Sequence, residues 1–456
     1  MHIPMIKIIS VAAMALTLQA QTIITSSKPK PAALDTILLS ENLWKTTLVD
    51  LEKKFHTKPS DDQKRMEDMR REMMKKRGIE LPEQTYGGFE WLSTLKDGLR
   101  GSGGRLSLFD EELGEVVVKG NAGLIAGWNV SIFNRGDDRP IKSKELLTKF
   151  QQWRARLDEK LGSAGQERKS TSAVKVLGYM WKKGDTAWLL EASVGKDDYG
   201  ADRAEFLRIR IASASNVGAK KIAGRSTLAG NVVHKDNGDT LIESVPMVDQ
   251  GEKGYCAVAS ISRVAMYYGL DVDQHEIAQL ANTSQFGTSP EEMEEAFKKI
   301  VGKLHIRTTK HYELTERQFD ADVRAYNQAA KKVGKKEIKA SEGYILNPAY
   351  FWHKADDEIF AAVKSEQSGC RRYMTKVREY IDQGLPICWC LRLGMFKEKD
   401  IPQASGGHMR LIIGYNEKTS EIIYSDSWGK GHECKRMSLD KAYACSMSLY
   451  TMSPTR

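Results

Sequence analysis

The chain has 456 residues, of which 41% are hydrophobic and 28% are charged. Its length favours two folded units, and the composition is that of a globular protein and excludes a disordered or fibrous chain. The 69 basic and 60 acidic residues give a formal charge of +9. They are interspersed and form no basic stripe, so the sequence predicts no nucleic-acid partner.

Residues 1–20 have the pattern of a secretory signal peptide. Lys7 precedes an apolar run from Ile8 to Leu18, and Ala20 offers a cleavage position. The run is about half as long as the ~20 residues that a membrane-spanning helix requires. We therefore expect a secreted or periplasmic protein, with a membrane tether through an uncleaved N-terminal segment as the alternative.

Residues 21–230 predict an N-terminal α+β domain. A proline-containing linker over residues 25–33 leads into a helical pattern over residues 41–55. Residues 61–77 are dense in charge with Met at intervals, which predicts a solvated surface helix with a narrow apolar seam.

From Phe89 to about Ser213 the sequence pattern changes to strand-like runs. A helix is predicted over residues 143–161, and KKGD at 182–185 predicts the turn of a hairpin. We recognise no combination of catalytic residues in this part of the sequence. The role of the domain therefore stays open between an inhibitory pro-region, a substrate-binding module and a membrane-facing spacer. Residues 213–240, rich in Ser, Ala, Gly and Asn, predict the domain boundary, so the second domain is expected over residues 241–456.

Six cysteines are too few for a disulfide scaffold in a chain of this length: Cys256, Cys370, Cys388, Cys390, Cys434 and Cys445. Cys388 and Cys390 alternate along one apparent strand, so we expect no bridge between them. No CxxC or HExxH motif is present. The sequence therefore predicts no metal site and no cofactor.

Four residues of the C-terminal half carry chemistry. Cys256 opens an apolar helix that ends near Gly269, and free amides and the helix dipole stabilise a thiolate there. Gln250 lies in a glycine-containing loop that can aim its amide at an oxyanion. His408 starts an apolar strand, and Asp426 ends the next one, so antiparallel pairing brings them together.

The segments QGEKGYCA, GHMRLIIGYN and YSDSWG resemble the active-site loop, the histidine strand and the Asn-Ser-Trp-Gly segment of papain-like cysteine peptidases. The motifs are most similar to the bacteriocin-processing, double-glycine peptidases, with Asp426 in place of the papain-type Asn. The resemblance covers about residues 241–452. The papain-type Cys four residues before the nucleophile is absent, since that position is Glu252.

The resemblance implies an α+β protein with a papain-like C-terminal domain, built from a helical subdomain carrying the nucleophile helix and an antiparallel sheet or barrel. It implies a bacterial, exported thiol peptidase acting on peptides or proteins through Cys256 as nucleophile, His408 as base, Asp426 as its orienting group and Gln250 in the oxyanion hole. The alternatives are a transglutaminase or acyltransferase on the same fold, a non-catalytic peptide-binding module, and peptidoglycan cleavage.

Overall fold

The computed structural model describes residues 30–56, 61–76, 88–169, 174–216, 223–251, 253–270, 272, 274–283, 287–288, 290–339, 341–342, 345–346, 348–403 and 405–455. The predicted signal peptide lies outside these residues. Helices and strands are mixed throughout, so the α+β prediction is confirmed. No helix in the described ranges combines the length and apolar character needed to cross a membrane.

The N-terminal domain is built around an antiparallel sheet. Its helices are α1 Asp35–Leu38, α2 Leu48–Phe55, α3 Asp61–Lys76 and α4 Ser143–Leu161. Its strands are β1 Ala32–Ala33, β2 Glu90–Trp91, β3 Gly98–Gly101, β4 Leu106–Leu108, β5 Glu111–Glu112, β6 Val116–Asn121, β7 Leu124–Asn134, β8 Gln166–Glu167, β9 Leu177–Lys183, β10 Thr186–Lys196 and β11 Asp202–Ser213.

The large sheet of this domain has the order β2-β3-β6-β7-β11-β10-β9-β8 among the described residues. Helix α4 covers it with a buried stripe at helical spacing, formed by Leu146, Phe150, Trp153, Leu157 and Leu161. The predicted hairpin is present, because β9 and β10 pair antiparallel around Gly184. The domain therefore has its own core.

Two N-terminal predictions need correction. The pattern over residues 41–55 is not one helix: a 3₁₀ turn at Leu43–Lys45 is followed by extended Thr46 and Thr47, and α2 begins only at Leu48. Thr47 explains the break, since its hydroxyl accepts a hydrogen bond from the Asp50 amide at 3.0 Å and caps α2. The predicted linker ends in β1, which pairs in parallel with β4.

The remaining elements form the second domain. Its helices are α5 Arg225–Leu228, α6 Cys256–Tyr267, α7 Gln274–Leu280, α8 Pro290–Leu304, α9 Glu316–Lys332, α10 Pro348–Lys354, α11 Asp357–Ser365, α12 Ser368–Ile381 and α13 Leu439–Cys445. Its strands are β12 Val232–His234, β13 Asp239–Ile242, β14 Ile306–Glu313, β15 Ser341–Glu342, β16 Ile345–Leu346, β17 Ile387–Leu393, β18 Gly406–Asn416, β19 Glu421–Ser425, β20 Lys435–Ser438 and β21 Ser446–Pro454.

The second sheet has the order β12-β13-β18-β17-β21-β14, and β19 pairs with β18 and β20. Strands β17 and β18 read as nearly continuous apolar runs because both faces of the sheet are covered. Helices α6 and α7 pack on one face and α9 to α13 on the other. Pairing of β13 with β18 means that this sheet includes residues before 241, beginning at Val232.

Candidate active site

Cys256 is the first residue of α6, as the sequence predicts. Every residue from Ala257 to Ala265 is buried, including the polar Ser260, Ser262 and Arg263. It ends at Tyr267, and Gly269 follows with a φ of +84°. Burial fixes the helix axis, so the first turn, with its amides that have no partner within the helix, has a defined direction.

His408 and Asp426 meet as neighbouring strands β18 and β19 predict. The imidazole donates through Nε2 to Oδ1 of Asp426 at 2.6 Å, and both side chains are buried. The indole of Trp428 stacks on the imidazole, with ring centroids 4.3 Å apart and planes at 16°. These contacts fix the plane of the ring, and Nδ1 is the ring nitrogen that is left for Cys256.

The thiol and the imidazole shift each other's pKa. Burial raises the pKa of Cys256, but the positive charge of His408 outweighs it, so the pKa is lowered from its usual range. Burial lowers the pKa of His408, whereas Asp426 and Cys256 raise it, with a net result of about 9. Both shifts act in the direction of a thiolate–imidazolium pair.

Arg410 is a functional candidate that the sequence analysis missed. Its Nε donates to Oδ2 of Asp426 at 2.6 Å, and its Nη1 donates to Oε2 of Glu398 at 2.8 Å. The Ser427 amide donates to Oδ1 of Asp426 at 2.8 Å. Burial raises the pKa of Asp426, but His408 and Arg410 lower it well below the usual range, so the carboxyl stays ionised. An arginine inside the apolar run of β18 was the available sequence signal.

Gln250 is hydrogen-bonded both to Ser427, next to Asp426, and to Lys253 in the loop before Cys256. Its backbone amide donates to the Ser427 carbonyl at 2.8 Å, and its Oε1 accepts from the Ser427 hydroxyl at 2.7 Å. The side-chain nitrogen therefore faces the loop, where it donates to the Lys253 carbonyl at 3.1 Å. A side-chain amide has two N–H groups, so a second donor is left for a ligand.

The other cysteines have a different character. All six are free. Burial raises the pKa of Cys388 and of Cys445, and it also raises that of the exposed Cys434. Within the described ranges, no three His, Cys, Asp or Glu side chains cluster as metal ligands would. The pKa of Cys256 is lowered, whereas the pKa values of the other five cysteines are raised, so Cys256 is the thiol that ionises most readily.

Two sequence-family models match the C-terminal half of the chain. Residues 244–334 match the sequence model of the peptidase C39 family, and residues 326–448 match that of the peptidase C39-like family. A search of curated proteins found no match.

Two solved structures are similar. The peptidase domain of Streptococcus ComA, a bi-functional ABC transporter involved in a quorum sensing pathway, is 16% identical with a TM-score of 0.25; the match covers 46% of this chain and 99% of that one. Xylellain, a cysteine protease from Xylella fastidiosa, is 9% identical with a TM-score of 0.26; the match covers 52% of this chain and 92% of that one.

The chain is a cysteine-type peptidase, as the motifs around Cys256 and His408 led us to expect. Within that class, residues 244–448 are similar to the C39 and C39-like peptidase families. The roles of the individual site residues stay predictions.

Proposed function

We propose that this protein is an exported thiol peptidase that hydrolyses peptide bonds through Cys256, His408 and Asp426. The observation that carries the proposal is the position of His408, which is hydrogen-bonded to an ionised Asp426 and whose charge lowers the pKa of the Cys256 thiol. Export rests on the signal pattern of residues 1–20. The substrate class is peptide or protein, and the preferred cleavage sequence is left open.

In the proposed reaction, His408 takes the thiol proton and the Cys256 thiolate attacks the carbonyl carbon of the bound peptide. Asp426 accepts from Nε2 of His408 and keeps Nδ1 directed at the sulfur. The oxyanion of the tetrahedral intermediate is held by the Cys256 amide and the free N–H of Gln250, and each donor of this kind lowers the barrier by about 2.7–4 kcal/mol.

Collapse of the intermediate breaks the C–N bond as His408 donates its proton to the leaving amine. The acyl group is then a thioester on Cys256. Water, deprotonated by His408, attacks this thioester and releases the acid and the thiol. An amine in place of water would give a transferase, which is the alternative on the same site.

Labelling with a thiol-directed epoxysuccinyl peptide at pH 6–7 tests the nucleophile. We expect modification at Cys256, loss of modification in Cys256→Ala, and slow modification in His408→Ala. Cys434→Ser is the matched control, because Cys434 is exposed but its pKa is raised, so its loss should leave labelling unchanged.

Peptide hydrolysis is then measured with and without an added primary amine. Release of free acids whether or not the amine is added supports the peptidase, whereas amide products in its presence favour the acyltransferase. Labelling at Cys434 with Cys256 unmodified would contradict an activated thiolate at Cys256 and leave a peptide-binding module as the explanation.

A further inference from the structure

The loop that leads into Cys256 is anchored by the N-terminal domain. Lys253 is buried, and its Nζ donates to both carboxylate oxygens of Asp137, at 2.9 and 2.8 Å. Its Nζ also lies 4.0 Å from Oε2 of Glu115. Both carboxylates belong to the N-terminal domain, at or next to β6 and β7. A side chain of the catalytic loop is therefore neutralised by the other domain.

A second cation reinforces this arrangement. Arg100 donates through Nε to Glu115 at 2.6 Å, and its Nη1 lies 3.6 Å from Oδ2 of Asp249 at the start of the loop. Burial raises the pKa of Glu115, but Lys253 and Arg100 outweigh it and lower the pKa to about 2. The buried carboxylate keeps its charge at every pH at which a thiol peptidase works.

The turn after β7 also contacts the residue before the nucleophile. Gly136 approaches the ring of Tyr255 so closely that a Cβ on Gly136 would lie 2.2 Å from the Tyr255 hydroxyl oxygen. The Lys253 ammonium lies 4.9 Å from the centre of the same ring. The turn thus holds the side chains of both Lys253 and Tyr255.

Lys253 links this anchor to the oxyanion hole through its own backbone. Its carbonyl accepts from Nε2 of Gln250 at 3.1 Å and from the Tyr255 amide at 2.7 Å. The side chain and the carbonyl belong to one residue, so fixing the ammonium fixes the acceptor that orients Gln250. Lys253 is therefore the single residue that connects Asp137 to the Gln250 side chain.

We propose that the N-terminal domain is a permanent part of the catalytic unit and that Lys253 is a positioning residue, which holds the Gln250 amide and the start of α6 in their catalytic geometry through Asp137 and Glu115. The inference rests on the proposed peptidase function. It opposes the inhibitory pro-region reading, because removal of the N-terminal domain would leave the Lys253 cation without these partners and release the loop.

The test is made in the full chain with Lys253→Met, which keeps the length of the side chain and removes its charge. We expect kcat to fall about 10²-fold, as a misplacement of about 1 Å does in other active sites. KM and the pH profile of Cys256 alkylation should stay unchanged, because the pKa of Cys256 depends on His408 and Asp426, which Lys253 does not contact. Lys253→Arg should restore most of kcat, and Asp137→Asn should lower it less than Lys253→Met.

Glu276→Gln is the matched control. Glu276 lies on α7, is buried, and accepts from Nη2 of Arg208 in the N-terminal domain at 2.5 Å. Arg208 also donates to Glu191 at 2.8 Å in the wild-type structure, so it retains a carboxylate partner when Glu276 is changed. The change weakens the same interface away from the loop, so thermal stability should drop while kcat stays at the wild-type value.

Hydrogen exchange over residues 249–256 provides a readout that needs no turnover. Faster exchange there in Lys253→Met and Asp137→Asn, but not in Glu276→Gln, supports the positioning role even if the wild-type protein hydrolyses no peptide and the proposed function fails. Equal losses of kcat in Lys253→Met and Glu276→Gln would overturn the proposal, and so would unchanged exchange and kcat in Lys253→Met. If Lys253→Met does not fold, Asp137→Asn decides, because Asp137 is partly exposed.

Discussion

At the scale of single residues, the carboxylate of Asp426 explains why this site has an acid where the papain motif has an amide. Three donors converge on it: His408 and the Ser427 amide on Oδ1, and Arg410 on Oδ2. A carboxylate accepts on both oxygens, whereas an amide has one acceptor and one donor group. An asparagine here would point its NH₂ at either the imidazole or the guanidinium.

Asp426→Asn should therefore lower kcat by at least about 10²-fold, because the imidazole loses its fixed tautomer and its charged partner. The free energy of unfolding should fall by about 1–3 kcal/mol, since buried Arg410 loses an ionic acceptor. Steady-state kinetics measures the change in kcat, and denaturant unfolding measures the change in the free energy of unfolding. In the control Asp322→Asn, which breaks the buried pair with Lys364, stability should drop with kcat unchanged. Wild-type kcat in Asp426→Asn would contradict the orienting role.

The pH dependence of Cys256 alkylation follows from the two shifted pKa values. The lowered pKa of Cys256 puts the acid limb below the range of an ordinary thiol, and the raised pKa of His408 keeps the imidazolium until about pH 9. Alkylation of Cys256 should therefore begin at a lower pH than that of an ordinary thiol and change again as the pH rises through about 9. The two limbs are macroscopic values of the pair.

The same shift predicts the pH dependence of stability. The folded-state pKa of His408 lies above its unfolded value of about 6.5, so its contribution is complete below about pH 6.5 and is lost as the pH rises to about 9. Unfolding followed over pH 6–9.5 in wild type and His408→Ala measures this difference. Parallel stability curves for the two proteins would rule the contribution out.

At the scale of elements, the loop of residues 249–255 leads into α6, whose first residue is the proposed nucleophile Cys256. Gly251 has a φ of +70°, in the left-handed region that favours glycine. A Cβ at this position would lie 2.7 Å from Nη2 of Arg100. Arg100 is held by Glu115 and cannot simply swing aside.

Gly251→Ala should lower the free energy of unfolding by about 1 kcal/mol and reduce kcat more than it changes KM. The control is Gly184→Ala in the β9–β10 turn, which has a φ of +56° and no atom within 4 Å of the new Cβ. It should show a similar loss of stability with normal kcat. Equal kinetics in the two variants would mean that the loop tolerates the distortion.

At the scale of the whole molecule, the two domains share a hydrophobic core. Val174, Val176 and Phe206 of the N-terminal domain pack in one buried cluster with Tyr255 and residues of α6. Each such side chain contributes about 1.5–3 kcal/mol of burial, against a total stability of roughly 5–15 kcal/mol for a domain. Removing the N-terminal domain would therefore expose apolar side chains of the second domain to water.

A chain that begins at residue 223 should therefore be aggregated or at least 10²-fold less active than the full chain, with the loop misplaced as argued for Lys253. Solubility, far-UV circular dichroism and peptide hydrolysis check this. A protease site inserted within residues 217–222, cut after folding, is the control, because the two pieces should stay associated and active. Higher activity in the shortened chain would instead identify the N-terminal domain as an inhibitory pro-region.

The sequence by itself determined the local part of this protein. Helical and alternating periodicity located α4, α6 and the strands on which His408 and Asp426 lie, because those patterns reflect burial of one face or of both. It failed at residues 41–55, where the capping of α2 by Thr47 overrode an apolar period. The order of Gln250, Cys256, His408 and Asp426 was enough to predict the class of enzyme.

Only the tertiary structure decided what surrounds these residues. Lys253 and Asp137 are 116 positions apart, and Arg410 lies in an apolar run whose period says nothing about its partner. Buried ion pairs form between side chains that the fold brings together, and no local pattern records which carboxylate will meet which cation. The contact of the N-terminal domain with the loop of residues 249–255 is therefore a property of the folded chain, because it depends on the packing of two separately patterned domains.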